Sequence, residues 1–117
     1  YLNGVLVARN DDPSSYSTVE DGRWHYLGNA RWGGPGDGPG LNGELDEVRV
    51  WAKRRSGEEI RRDMFARLRG DEPGLAALWN FDDPENVGRD ASGHGFHGTA
   101  IECGAIPGAL PVQLIQP

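Results

Sequence analysis

Short runs of β type, some alternating apolar with polar and some wholly apolar, recur along this chain between stretches rich in glycine, proline, asparagine and aspartate. Tyr1-Leu2, Asn3-Gly4 and Val5-Leu6-Val7-Ala8 read as a β-hairpin, because Asn-Gly supplies the two positive-φ positions of a type I′ turn. Tyr16 to Val19 and Trp24 to Leu27 are further strand candidates. In the second, Trp24 and Tyr26 share one face, His25 and Leu27 the other. The longest β-type run is Leu41 to Trp51. Asp46, Val48, Val50 and Ala52 fall on one face, and Leu45, Glu47, Arg49 and Trp51 on the other. The valine face is predicted to look inward and to take Asp46 with it, where a carboxylate needs hydrogen bonds, a cation or a metal. Leu75 to Phe81 reads as a buried strand and Thr99 to Cys103 as a short one.

One stretch switches to the helical period. Ser56-Gly57-Glu58-Glu59 is a capping box. Ile60, Met64 and Leu68 recur every four residues with Phe65 beside them, Arg67 and Arg69 suit a helix C-terminus, and Gly70 stops the run. The pattern predicts a single α-helix at about 56–69, docked on a sheet or covering an edge. Gly33 to Gly40 is too rich in glycine and proline for regular structure, and Asn10–Ser15, Asp82–Asn86 and Asp90–Gly95 read as loops or turns. There is no clear internal repeat.

Composition agrees with short strands and many turns: 18 glycines and 8 prolines in 117 residues, a length that fits one domain at most. The net charge of -6 argues against nucleic acid as a partner. The densest basic stretch, Lys53 to Arg69, is interrupted by Glu58, Glu59 and Asp63 and reads as a solvated helix face. The single cysteine, Cys103, allows no internal disulfide and reads as a small buried hydrophobe. No apolar run approaches the ~20 residues of a membrane span. No signal peptide is visible, but Tyr1-Leu2 reads as the stub of a strand, as in a segment of a longer protein, where a missing leader says nothing about location.

Three constellations could carry chemistry. Retaining sugar hydrolases need two carboxyl groups about 5 Å apart, which a Glu-x-Asp-x-Glu strand provides. Glu44 and Asp46 fill the first two places, but the third falls on Val48, or on Arg49 if a bulge intervenes, and neither can be the acid. The simpler reading leaves Glu44 and Glu47 solvated and Asp46 holding a turn. Second, Asp90-x-Ser92-x-His94-Gly95 places oxygen groups at alternating positions, as a calcium loop does. His94 is a poor calcium ligand and Ile101 stands where a closing carboxylate belongs, so an Asx-type turn is favoured. If calcium binds, Asp90 with Asp82 or Asp83 would hold it. His94 and His97 share no fixed face and lack a neighbouring cysteine or glutamate for zinc. Third, exposed aromatics could stack on sugar rings. Most in so small a domain are core, but Trp32 borders the glycine-rich loop and is the candidate ligand contact.

Gly43-Glu44-Leu45-Asp46-Glu47-Val48-Arg49-Val50-Trp51, followed by Arg55-Ser56-Gly57-Glu58-Glu59-Ile60, resembles the late strand and helix of laminin-G-like domains. Tyr1 to Val7 resembles their YxDGxLV hairpin. Gly74-Leu75 with Trp79-Asn80-Phe81-Asp82 resembles the GLxxxWxFDE strand, and Asp90 to Gly95 with Gly98 resembles the DxSGNGxxG turn, with His94 in place of asparagine. The resemblance covers about residues 1–100 and implies an all-β, antiparallel, concanavalin A-like jelly-roll sandwich, present as a C-terminal portion. Residues 1–104 would form the sandwich portion and 105–117 a tail or linker. Residues 75–104 would either close this domain or open a following one. The resemblance further implies a non-catalytic, extracellular or cell-surface module that binds glycans or protein partners beside neighbouring domains, with Ca2+ as an occasional cofactor. By position, the loop from Trp32 to Asp37 is the implied contact. A glycoside hydrolase of the same fold and a spacer domain without a ligand are the alternatives. Half a jelly roll exposes sheet edges and an apolar face, which predicts marginal stability, pairing with a second copy, or dependence on the missing half.

Overall fold

A computed structural model describes residues 1–11, 25–29 and 40–106. Chain contacts group into two compact units, Tyr1–Ala8 with Asp46–Pro117, and Arg9–Leu45. In the first unit the described elements are β1 (Val48–Trp51), α1 (Gly57–Asp63) and β2 (Leu75–Trp79). In the second, the Leu41 amide donates to the Gly28 carbonyl (2.5 Å), with Gly28 at φ 78°. His25 to Leu27 join no ladder, while Trp24 and the Tyr16–Val19 candidate lie outside the described residues.

The amino-terminal turn forms as its sequence dictates. Leu2 and Val5 exchange both backbone hydrogen bonds (2.9 and 3.0 Å), and Asn3 and Gly4 take φ of 50° and 75°. Only this one bridge forms. Its tip rests on α1: a Cβ at Gly4 would stand 2.8 Å from Arg61 Cγ and 3.0 Å from Met64 Sδ.

β1 and β2 pair antiparallel, Val48 opposite Trp79 and Val50 opposite Ala77. The register then slips, Trp51 facing Leu75, so Ala76 is the extra residue of a bulge. Leu75, Ala77 and Leu78 are the buried hydrophobic residues among those described, so β2 is covered on both faces. Phe81, at φ 53°, turns the chain away beyond the strand.

The inward face of β1 is the reverse of the expectation. Val50 is 47% exposed and Asp46 lies at the surface, whereas the Arg49 and Glu47 side chains are only 12% and 9% exposed. Glu47 is therefore not solvated; it pairs with Arg49 at 2.8 Å. Asp46 does hold a turn, accepting the Glu47 amide (2.8 Å) where that residue takes φ 51°. Arg49 also explains why the helix ends at Asp63 rather than near Arg69. Its guanidinium donates to the Asp63 carbonyl (2.6 Å) and to that of Ala66, and the Ala66 amide closes a tight turn on Asp63 (3.0 Å). Carbonyls left unpaired at a helix end need such donors. At the other end the capping box is complete, with Glu59 N to Ser56 Oγ at 3.1 Å and Ser56 N to Glu59 Oε2 at 2.8 Å. Asp63 would oppose the helix dipole, but Arg62 and Arg55 neutralise it, and Arg55 also lies 3.9 Å over the Trp51 ring.

Thr99 to Cys103 is not a strand, and Cys103 is exposed, contrary to expectation. The tail from 107 lies outside the described residues. Among those described, no helix is long and apolar enough to cross a membrane.

Candidate functional site

The segment after β2 is organised around one carboxylate. Asp90 is 2% exposed. Its Oδ1 accepts the amides of Leu78 (3.0 Å) and Ser92 (2.9 Å), and its Oδ2 that of Phe96 (3.0 Å). Burial opposes ionisation here, but the Leu78 amide, the Ser92 side chain and the amides of Ser92 and Phe96 outweigh it and hold the carboxyl well below the usual range. The Asp90 amide in turn donates to His97 Nδ1 (3.0 Å).

These bonds cover the edge of β2 that faces away from β1. The Leu78 carbonyl takes the Ala91 amide (2.7 Å), and the carbonyl freed at the Ala76 bulge lies 3.0 Å from His94 Nδ1 and 3.4 Å from Ser92 Oγ. Trp79 Nε1 donates to the Phe96 carbonyl (2.9 Å) and Gly98 N to the Gly88 carbonyl (2.7 Å). A Cβ at Gly88 would overlap the Gly98 carbonyl, so this crossing requires glycine. Together these contacts close an edge that would otherwise invite another strand.

Alongside lies an open groove of about 440 Å³ at the carboxyl end of β2. Arg69, Asn80, Asp82, Asp83 and Arg89 supply its polar walls, with Pro84 and Ala91 as the apolar part. Asp83 Oδ1 accepts the Glu85 amide (3.1 Å), and the Asn86 amide donates to the Asp83 carbonyl (3.1 Å), which fixes the turn that carries the wall. The side-chain pairs vary: Arg67 donates to Asp82 at 3.0 Å, while Arg69 to Asp71 at 3.3 Å and Arg89 to Asp83 at 3.6 Å are looser.

The nominated residues thus fare differently. Asp82 lines the groove and faces a guanidinium; Asp90 is withdrawn into the amide knot beside it. Asp90 has both carboxylate oxygens engaged by backbone amides, whereas Asp82 has Oδ2 on Arg67 and a side chain 44% exposed. No cluster of three metal-ligating side chains occurs among the described residues. Trp32 and Asp37 lie outside the described residues. The sequence assigns no site role to Asn80, Arg69 or Arg89; the available signal was that Asn80 and Arg89 flank the recognised turns, while Arg69 was read as a helix-end charge.

A profile of laminin-G type, described as the Concanavalin A-like lectin/glucanases superfamily, matches residues 1–61, just over half of the chain. The chain belongs to this superfamily. The matched part of this laminin-G-like chain holds the amino-terminal turn, β1 and the first residues of α1, and stops short of β2 and the Asp90 knot. The membership indicates a β-sandwich, of which the described residues show one antiparallel pair and a short helix. Domains of laminin-G type are generally non-catalytic binding modules and typically extracellular, although the superfamily also holds glycosidases. No curated protein and no solved structure matches the chain.

Proposed function

We propose that this chain is part of a non-catalytic, extracellular binding module of jelly-roll type that recognises glycans or protein partners. The observation that carries binding over hydrolysis is the use made of the charges on β1. A retaining hydrolase needs a nucleophile and an acid facing one another. Here Val48, or Arg49 if a bulge intervenes, stands where the last acid belongs, and Arg49 is spent on Glu47 and on the end of α1. The polar groove beside β2 supports a surface that contacts a ligand, and its guanidinium, carboxylate and amide groups are those that meet sugar hydroxyls.

A glycan array probed with the full 117-residue chain tests this, with and without chelator. Retention of a glycan with no release of product is expected. Calcium enters as one arm of the comparison: a chelator-sensitive signal would support a bound cation, with Asp82 and Asp90 the first residues to vary. Absence of binding to every glycan and matrix protein presented would overturn the reading in favour of a spacer.

A further inference from the structure

We infer that Asn42 is a self-modification site, which loses its side-chain amide through a cyclic imide with Gly43, and that the fold protects the same tripeptide at Asn3.

Leu-Asn-Gly occurs twice, as Leu2-Asn3-Gly4 and as Leu41-Asn42-Gly43. A glycine after asparagine favours the reaction, because without a Cβ its backbone nitrogen is open to approach and its neighbours turn freely. The Gly43 nitrogen attacks the side-chain carbonyl carbon of Asn42. A C–N bond forms, the nitrogen gives up its proton, and the carbon loses ammonia. Water then opens the five-membered imide at either carbonyl. The products are aspartate and an isoaspartate whose main chain runs through the former side-chain carbon. Water is the one co-reactant, and nothing is oxidised or reduced.

Closure requires the asparagine to turn until these two atoms meet, so its rate follows local freedom. At Asn3 that freedom is gone. Leu2 and Val5 exchange two backbone hydrogen bonds across the turn, and Asn3 is held at φ 50°. Gly4 is buried, and a Cβ on it would stand 2.8 Å from Arg61 Cγ and 3.0 Å from Met64 Sδ. Arg61 also donates to the Gly4 carbonyl (3.4 Å). The imide can close there after the turn opens and leaves α1.

Asn42 has no such restraint. Asn42 and Gly43 are both exposed and lie in neither a helix nor a strand. Neither makes a hydrogen bond among the described residues. A Cβ on Gly43 would meet the Leu41 side chain alone, at 3.6 Å, and its φ is not left-handed. The next ladder begins at Val48, so an added main-chain carbon at position 42 is absorbed before β1. The product gains a carboxylate two residues ahead of Glu44, in a chain already at net -6.

The test holds the full chain in warm, mildly alkaline buffer, with and without urea, and maps peptides by mass spectrometry that separates aspartate from isoaspartate. In native buffer Asn42 should convert about tenfold faster than Asn3, the factor that breaking the turn's hydrogen bonds imposes. In urea the two rates should converge, since the tripeptides are identical. Gly43→Ala, which the local space and φ tolerate, should slow Asn42 and leave Asn3 unchanged. Equal rates in native buffer would overturn the inference, as would an Asn42 that converts in urea but not in the folded chain. A preference for Asn42 that persists in urea would also overturn it, by assigning the difference to sequence rather than to the fold.

Discussion

At Asp90 three amide donors converge on one carboxylate that is 2% exposed. Asparagine there would keep one acceptor but set an NH2 group against the Phe96 amide. Asp90→Asn should therefore destabilise the fold by about 1–3 kcal/mol, read by urea denaturation. The pH dependence follows from the sign of the shift. The folded carboxyl ionises at lower pH than the unfolded one, so its stabilisation is complete above the ordinary aspartate range and is lost as pH falls through that range and below. The wild type should weaken steeply on acidification and Asp90→Asn less so; parallel acid profiles would contradict this assignment. Arg49 is the complementary case, a half-buried cation with three acceptors. Arg49→Leu leaves Glu47 and the Ala66 carbonyl without this partner and removes one of two donors to the Asp63 carbonyl, and should cost about 3 kcal/mol, part of it recovered by adding Glu47→Leu.

Among the elements, the parts legible from sequence are those whose partners are close in the chain. The Asn3-Gly4 turn and the Ser56–Glu59 capping box need residues no more than three apart, and both form as read. Ser56→Ala should cost about 1 kcal/mol in thermal unfolding. The length of α1 was not legible, because the donor that ends it lies fourteen residues upstream, on a strand whose inward face was read from its valines. The Asx-type turn favoured at Asp90 forms, with the Ser92 amide on Oδ1, because its partner is two residues away. The burial of Asp90 against β2 was not legible, because the Leu78 amide that completes it is twelve residues distant and carries no residue-type signal. The groove's Asp82 was nominated, while Arg69 was read as a helix-end charge and Arg89 carried no motif of its own. The crossing at Gly88 supplies an element-level test: Gly88→Ala should break the Gly88–Gly98 contact and speed amide exchange from Asp90 to Gly98 while β1 keeps its protection.

For the whole molecule, the described core is small. Leu75, Ala77 and Leu78 are buried, while Val5, Val7, Val50 and Phe65 keep 46% or more of their surface in water. Such a chain alone should unfold at low denaturant or associate with a second copy through this apolar surface, and light scattering combined with denaturation distinguishes the two. A monomer with a single cooperative, high-denaturant transition would count against both. The charges of β1 are engaged in structure, Arg49 with Glu47 and with the end of α1, and the proposed module binds without cutting. Incubating the full chain with a panel of β-glucans, and measuring retained polysaccharide and new reducing ends in the same samples, tests this. Retention with no new reducing ends is expected; reducing ends that accumulate with time and vanish in Glu44→Gln would contradict it.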